Sequence, residues 1–325
     1  MNKTWEEIIE SLEFVETKSI KKDLKKQEFI LIGEIKGRDV LLKISNKKNT
    51  YRIKQFEKEK YVDKIIEKHN KNLSLPIINK TDFLDSGNNK NFVWMARKYY
   101  PGTSLASFNR DKVLFGYDII RQKYIFKKGK IIDDIIKCLN AIYSLETDFR
   151  KLGVKHNDFK RRYQSDVEEY DIKAIEKELG LKLDKQIEFY NKVKKEYFAK
   201  ENIKASVGDL SPANIIIKDD KKLILSDFEL FCFDNYTIDI AYLYIFLWRY
   251  KSWQKALIEK TITNDQDRKF FRASIIRELM FLYRWPFASL KDKKDFDHKK
   301  FNQNHIWTKY LIAAGESFDA IMKVK

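Results

Sequence analysis

The sequence predicts an α+β protein of two lobes, a small strand-rich N-terminal lobe and a larger, mainly helical C-terminal one. Three observations predict it. Short strand-like runs crowd the first hundred residues around one long helical pattern. Helical periodicity dominates residues 112–200 and 237–325. A short β-rich island at Ala205–Phe233 interrupts those helices. Pro101-Gly102 punctuates the change of character, so the division falls at 1–100 and 101–325. A chain of 325 residues is long enough to bury a sizeable core in two lobes that share a cleft.

The elements follow in order. Thr4–Leu12 has helical spacing, and Glu13–Ile20, Glu28–Ile35 and Asp39–Ser45 read as strands. Lys36-Gly37-Arg38 makes a tight turn between the last two. Tyr51–His69 is a helix. After Leu73–Pro76 come strand-like pieces at Ile77–Phe83 and Asn91–Lys98.

Composition excludes several classes. With 43% hydrophobic and 14% aromatic residues the chain is globular, and 10 glycines and 4 prolines leave no long flexible linker. The longest strongly apolar run, near Ile238–Trp248, is broken by Asp239 and is too short for a bilayer. No apolar signal core follows Met1. Cys138 and Cys232 give neither a disulfide framework nor a metal spacing, which predicts buried thiols in a reducing, cytoplasmic setting. The net charge of +17 would attract a nucleotide, an anionic acceptor, a nucleic acid or an acidic membrane surface. However, the lysines are spread along the chain among 48 acids, as on a solvated surface, and no nucleic-acid-binding signature or internal repeat accompanies them.

The chemistry gathers in the island. Asn214–Lys218 and Lys222–Asp227 flank a polar turn, a hairpin signal, and a turn centred on Asp220-Lys221 sets Asn214 opposite Asp227. Cross-strand Cβ atoms lie about 5 Å apart. An amide oxygen and a carboxylate that close suit one shared Mg²⁺, which keeps water and substrate phosphates for its other positions. Asp209 enters the hairpin five residues before Asn214, where a carboxylate can orient an acceptor hydroxyl and take its proton. Asp219, Asp220, Lys221 and Lys222 read as ordinary turn residues, whereas Asp209 and Asp227 lie beside apolar strand residues. A carboxylate buried there needs a partner.

These stretches, Val207-Gly208-Asp209-Leu210-Ser211-Pro212-Ala213-Asn214 and Ser226-Asp227-Phe228-Glu229, carry a resemblance. They resemble the aminoglycoside phosphotransferase and choline kinase branch of the protein-kinase-like fold. That family's patterns are His-Gly-Asp-Leu-x-x-x-Asn and Ile-Asp-(Trp/Phe)-Glu. The resemblance implies a kinase-like fold, a catalytic Asp209, and Mg²⁺ held by Asn214 and Asp227. It further implies that Asp239, in Thr237-Ile238-Asp239-Ile240-Ala241, braces the catalytic loop; Ser211 and the loop amides are candidate partners. Val207 stands where the family has histidine, so the loop needs other support. His156-Asn157-Asp158 imitates the family's His-Gly-Asp but has Tyr163 where asparagine belongs, and reads as a basic surface segment.

The nucleotide half is built from the small lobe. Lys43 interrupts the apolar strand Asp39–Ser45, and Glu59 lies on the apolar stripe of the next helix with Phe56, Val62 and Ile66. A carboxylate on a buried stripe implies a partner, and Lys43 is the natural one. The order of strand lysine, helix glutamate and later loop matches the family. Where the family places its phosphate-covering loop this chain has Thr17–Lys26 without a glycine, so either side chains such as Ser19 and Lys21 replace the usual amide cradle or the loop stays open without ligand. By the same resemblance Val93–Gly102 is the lobe connection that contacts adenine, which makes Met95, Lys98 and Tyr100 cofactor-binding candidates. Trp248, Tyr250 and Trp253 read as core aromatics.

The expectation is therefore an ATP- and Mg²⁺-dependent transfer of the γ-phosphoryl group to a hydroxyl of a small molecule, with GTP left open as the nucleotide. The acceptor is open too. A cationic one would want acids such as Glu229, Asp234 or those in Asp166–Asp171, and an anionic one would suit the basic excess. Val207 and the glycine-free loop motivate a rival, an inactive kinase-like binding module; the net charge motivates a nucleic-acid-binding one.

Overall fold

A computed structural model describes residues 4–25, 27–70, 83–99, 101–109, 117–151, 169–218, 223–290 and 305–325. Helix α1 (Trp5–Ser11) precedes strands β1 (Phe14–Asp23), β2 (Glu28–Ile35) and β3 (Arg38–Asn46). Helix α2 (Thr50–Asn70) and strands β4 (Phe83–Asn88) and β5 (Phe92–Lys98) complete the small lobe. Its antiparallel sheet runs β1-β2-β3-β5-β4. The β2–β3 turn is closed by Lys36 and Gly37, both with positive φ (50° and 72°), as a two-residue hairpin of matching twist requires.

Alternation along β3 sets the site. Val40, Leu42 and Ile44 pack with Ile8, Phe14, Phe29, Leu31, Phe92 and Ala96, and Trp5 stacks on Phe29 with centroids 4.4 Å apart. A strand turns successive side chains to opposite faces, so Leu41, Lys43 and Ser45 share the other one. There α2 packs. Its residues Val62, Ile65 and Ile66 belong to the core of the large lobe, which ties this helix to both lobes.

The large lobe begins with β6 (Thr103–Ser104), β7 (Ala106–Asn109) and β8 (Tyr117–Ile120). Helices α3 (Gln122–Ile125), α4 (Lys128–Ser144), α5 (Glu146–Lys151), α6 (Glu169–Leu179) and α7 (Asp184–Tyr197) follow. Four short strands come next, β9 (Ile203–Ser206), β10 (Ile215–Ile217), β11 (Leu223–Leu225) and β12 (Cys232–Asn235). The described chain ends with α8 (Ile238–Phe246), α9 (Lys251–Thr261), α10 (Asp265–Leu290), α11 (Ile306–Glu316) and α12 (Phe318–Lys323). Every residue of α8 is buried, so it forms the centre of the helical lobe. Within the described residues no helix is long and apolar enough to cross a membrane.

Several sequence expectations shift. β1 runs on to Asp23, so Thr17–Asp23 is strand, and β2 begins at Glu28. Residues 117–120 form a strand paired with β7 inside a stretch expected to be helical. The Leu73–Pro76 segment and most of Ile77–Phe83 lie outside the described residues, as does His156-Asn157-Asp158. The hairpin register is one residue away from expectation: Ile215 faces Leu225, and Ile217 faces Leu223. Asn214 therefore stands against Ser226, whose N–H and hydroxyl bond its carbonyl at 3.0 and 2.8 Å.

Candidate active site

The loop between β9 and β10 is built on a close approach. Gly208 has φ +83°, and a Cβ there would lie 2.1 Å from the Leu230 carbonyl oxygen, so only glycine fits. Val207 is buried in the core. The support comes from Asp239 in the first turn of α8. Its Oδ1 accepts from Ser206 Oγ at 2.9 Å and from Gly208 N–H at 3.1 Å, and its Oδ2 accepts from Val207 N–H at 3.1 Å. Its partners thus include Ser206 and two backbone amides of the loop. Main-chain donors hold this loop, so the side chain at 207 can be apolar.

Asp209 and Asn214 meet in the next turn. Asn214 Nδ2 donates to the Asp209 carbonyl oxygen at 3.1 Å. Burial pushes the Asp209 carboxyl up to about 6, and the negative charge of Asp227 adds to the rise. Hydrogen bonds from Tyr242 and Asn214 oppose it. Asp227 adopts the left-handed region at φ 68°, an uncommon conformation for a non-glycine residue. Asn214 ends a 3-10 turn at Pro212–Asn214 and Asp227 precedes another at Phe228–Leu230, so neither extends the β10–β11 ladder.

Lys43 joins the lobes. Its Nζ lies 2.8 Å from Glu59 Oε2, 3.4 Å from Asp227 Oδ1 and 3.3 Å from Glu229 Oε1. Arg97 Nη1 takes Glu59 Oε1 at 2.6 Å, and Arg52 Nη1 bonds Glu229 Oε2. Burial alone would depress the Lys43 ammonium, but Glu59, Asp227 and Glu229 together raise its pKa. Burial would raise Asp227, yet Lys43 and Arg97 outweigh it and hold that carboxyl below its ordinary value. Glu229 goes the other way. Its burial and the acids Asp227 and Glu59 beside it exceed the pull of Lys43 and Arg52.

Among the described residues, Glu59, Asp227 and Glu229 bring ligand oxygens within 4.8 Å of one another. Glu59 is fully buried and spent on Lys43 and Arg97. Asp227 and Glu229 are the more accessible pair. Hard oxygen donors of this kind fit Mg²⁺.

The structure brings Lys43, Glu59 and Asp227 into one contact set and joins Asp209 to Asn214. The other nucleotide candidates are spread along the small lobe. Ser19 is exposed on β1 opposite Leu31, in a ladder and not in the turn. Met95 pairs with Lys43 on one side and Ser86 on the other, and is buried on the face of the sheet that carries Lys43. Lys98 is exposed at the end of β5 opposite Val40, and Tyr100 lies outside the described residues. Of the acids considered for a cationic acceptor, Glu229 is held by Arg52 and Lys43, and Asp234 is buried 2.5 Å from Arg277.

Arg97, Arg52 and Tyr242 are the residues that sequence reasoning missed at this site, and Glu229 was considered only as an acid for a cationic acceptor. The signals were present. Arg97 follows buried Met95 by two positions on a strand, and Arg52 precedes Glu59 by two helical turns.

No family model matches the chain, and no curated protein sequence matches it. Solved structures do. The choline kinase LicA from Streptococcus pneumoniae is 14% identical, with 95% of this chain and 96% of that one covered at a TM-score of 0.54. The aminoglycoside phosphotransferase APH(4)-Ia is 12% identical, covering 98% and 97% at 0.56. The amicoumacin kinase hAmiN, solved with AMP-PNP, Ca²⁺ and Ami, is 11% identical, covering 94% and 89% at 0.52. At such identities the similarity shows architecture, and it extends over 95% and 98% of the chain in the first two: this protein has the two-lobed, protein-kinase-like fold shared by choline kinase and aminoglycoside phosphotransferase structures.

Proposed function

We propose that the protein is an ATP- and Mg²⁺-dependent phosphotransferase that moves the γ-phosphoryl group to a hydroxyl of a small molecule. One observation carries the reading. Lys43 and Asp227, 184 positions apart, meet at 3.4 Å, so the small-lobe cation and the large-lobe acid face one cleft. Lys43, held by Glu59, is placed to meet nucleotide phosphates. Asn214, Asp227 and Glu229 would hold the metal, which when bound neutralises charge on the phosphoryl oxygens. Asp209 takes the proton of the acceptor hydroxyl. A pKa near 6 keeps it ionised at neutral pH, yet basic enough to accept.

The groups that act on Asp209 are two acids, a phenol and an amide. A neutral or cationic acceptor suits that setting better than a phosphorylated one, in keeping with structural neighbours named for choline and aminoglycosides. The inactive-module rival rested partly on Val207. The contacts made by Asp239 remove that motive.

An acceptor screen tests the reading. The purified chain with Mg²⁺ and ATP is offered amino alcohols, aminoglycosides, sugars, sugar phosphates and nucleosides, and products are weighed for the gain of one phosphoryl group. Transfer to an amine-bearing alcohol is the expected result. Transfer to sugar phosphates alone would overturn the acceptor class, and a chain that binds no nucleotide would overturn the activity.

A further inference from the structure

The ion pairs around Lys43 extend past the residues that the proposed chemistry uses. Arg52 sits in the first turn of α2, on the small lobe, and Glu229 in the 3-10 turn after Asp227, on the large one. They bond across the cleft, 177 positions apart. The guanidinium is arranged in advance by its own lobe. Nη1 donates to Gln55 Oε1 at 2.7 Å, and Nε lies 3.5 Å from Glu28 Oε1. Asn49 Oδ1 takes the Arg52 N–H at 3.2 Å, and Asn49 Nδ2 in turn donates to Glu28 Oε1 at 2.7 Å.

Each carboxylate oxygen of Glu229 therefore has its own cation, Oε2 with Arg52 and Oε1 with Lys43. Glu229 is also one of the acids that offer ligand oxygens within 4.8 Å. A divalent cation entering between Asp227 and Glu229 would meet two positive charges already there. Lys43 has Glu59 to fall back on and nucleotide phosphates to move toward. Arg52 keeps Gln55 and Glu28 if it releases Glu229. The contact that can be exchanged is Arg52–Glu229.

Resting on the phosphotransferase reading of this site, we propose that Arg52 is a positioning residue acting through Glu229. It forms an inter-lobe latch that holds the Glu229 carboxylate in the nucleotide-free chain and yields it to the divalent cation when nucleotide binds. Arg52 thereby sets the cation concentration that loading requires. A guanidinium suits the task, because its fork stays tethered to Gln55 and Glu28 while one edge changes partner.

Mn²⁺ serves as the probe, its binding read by water-proton relaxation on the full chain with a saturating non-hydrolysable ATP analogue. Arg52→Gln removes the competitor and is expected to bind Mn²⁺ roughly three- to tenfold more tightly, the scale of one nearby, partly solvated charge. Glu229→Gln is expected to weaken binding, and in that background Arg52→Gln should change nothing. Thermal unfolding gives a second readout. Arg52 and Glu229 should couple in a double-mutant cycle without ligand, and the coupling should vanish with Mn²⁺ and analogue bound.

Equal coupling in both states would reveal a fixed brace and overturn the proposal. So would an Arg52→Gln chain with wild-type Mn²⁺ affinity. If that variant fails to fold, Arg52→Lys carries the same cycle, with a smaller coupling that again vanishes on loading. A wild-type chain that binds neither analogue nor Mn²⁺ would defeat the phosphotransferase reading and the latch with it. A wild type that binds both, with Arg52→Gln indistinguishable from it, would defeat the latch alone.

Discussion

Asp209 is held where its ionised form is costly, and that cost has consequences for pH. Burial and the charge of Asp227 raise its pKa from 3.8 to about 6. The proton acceptor is the ionised form, so kcat/KM should rise with pH through about 6 and level above it. Asp209→Asn should lower turnover by about 10²- to 10⁴-fold, as measured by steady-state kinetics across pH. Stability moves in the opposite sense. The folded chain binds this proton more tightly than the unfolded chain, so stability is lost as pH climbs from 3.8 through about 6. At neutral pH the Asn variant should therefore melt higher than wild type, in a calorimetric scan. Asp239 is the counterpart whose loss harms both. Asp239→Ala strands the buried Val207 amide and the Ser206 hydroxyl and takes from Gly208 N–H one of its acceptors, at a cost of about 3–5 kcal/mol in urea unfolding.

Helix α2 connects the element scale to the site. Glu59 serves two cations, Lys43 and Arg97, so the two ends of the pair are not equivalent. Lys43→Met leaves Glu59 with Arg97, whereas Glu59→Leu takes from buried Arg97 its hydrogen-bonded acid and leaves Lys43 with only Asp227 and Glu229. The second change should cost the full ~3–5 kcal/mol of a broken buried pair and the first distinctly less, in denaturant titrations of each variant. Much of this was legible in the sequence. The bounds of β2 follow from its apolar run, the Lys36-Gly37 turn from its glycine, and the meeting of Lys43 with Glu59 from a charge on each buried stripe. The length of β1 was not legible. Val15 and Ile20 are apolar yet exposed, so pairing with β2 defines that edge strand and burial does not. The β10–β11 register hid in its turn, and Arg52–Glu229 depends on how two lobes meet, which no local spacing encodes.

At the scale of the molecule, the lobes are joined through one helix and one lysine. The end of α2 sinks Val62, Ile65 and Ile66 into the large-lobe core, and His69 Nε2 lies 2.6 Å from Asp148 on α5. The middle of the same helix presents Glu59 to Lys43, and its first turn sends Arg52 to Glu229. Small-lobe cations thus converge on large-lobe acids, and in the proposed function a metal–nucleotide complex would exchange partners within that cluster. In that reading Asp209 serves the acceptor and Asp227 the metal. Binding and transfer should therefore come apart. The decisive measurement is Mg²⁺-dependent ATP binding by calorimetry beside phosphoryl transfer, in wild type, Asp209→Asn and Asp227→Asn. Asp209→Asn should bind ATP within a few-fold of wild type while transfer falls at least about 10²-fold, and Asp227→Asn should lose the Mg²⁺-dependent part of both. Transfer at the wild-type rate in Asp209→Asn, or Mg²⁺-dependent binding unchanged in Asp227→Asn, would contradict the assignment.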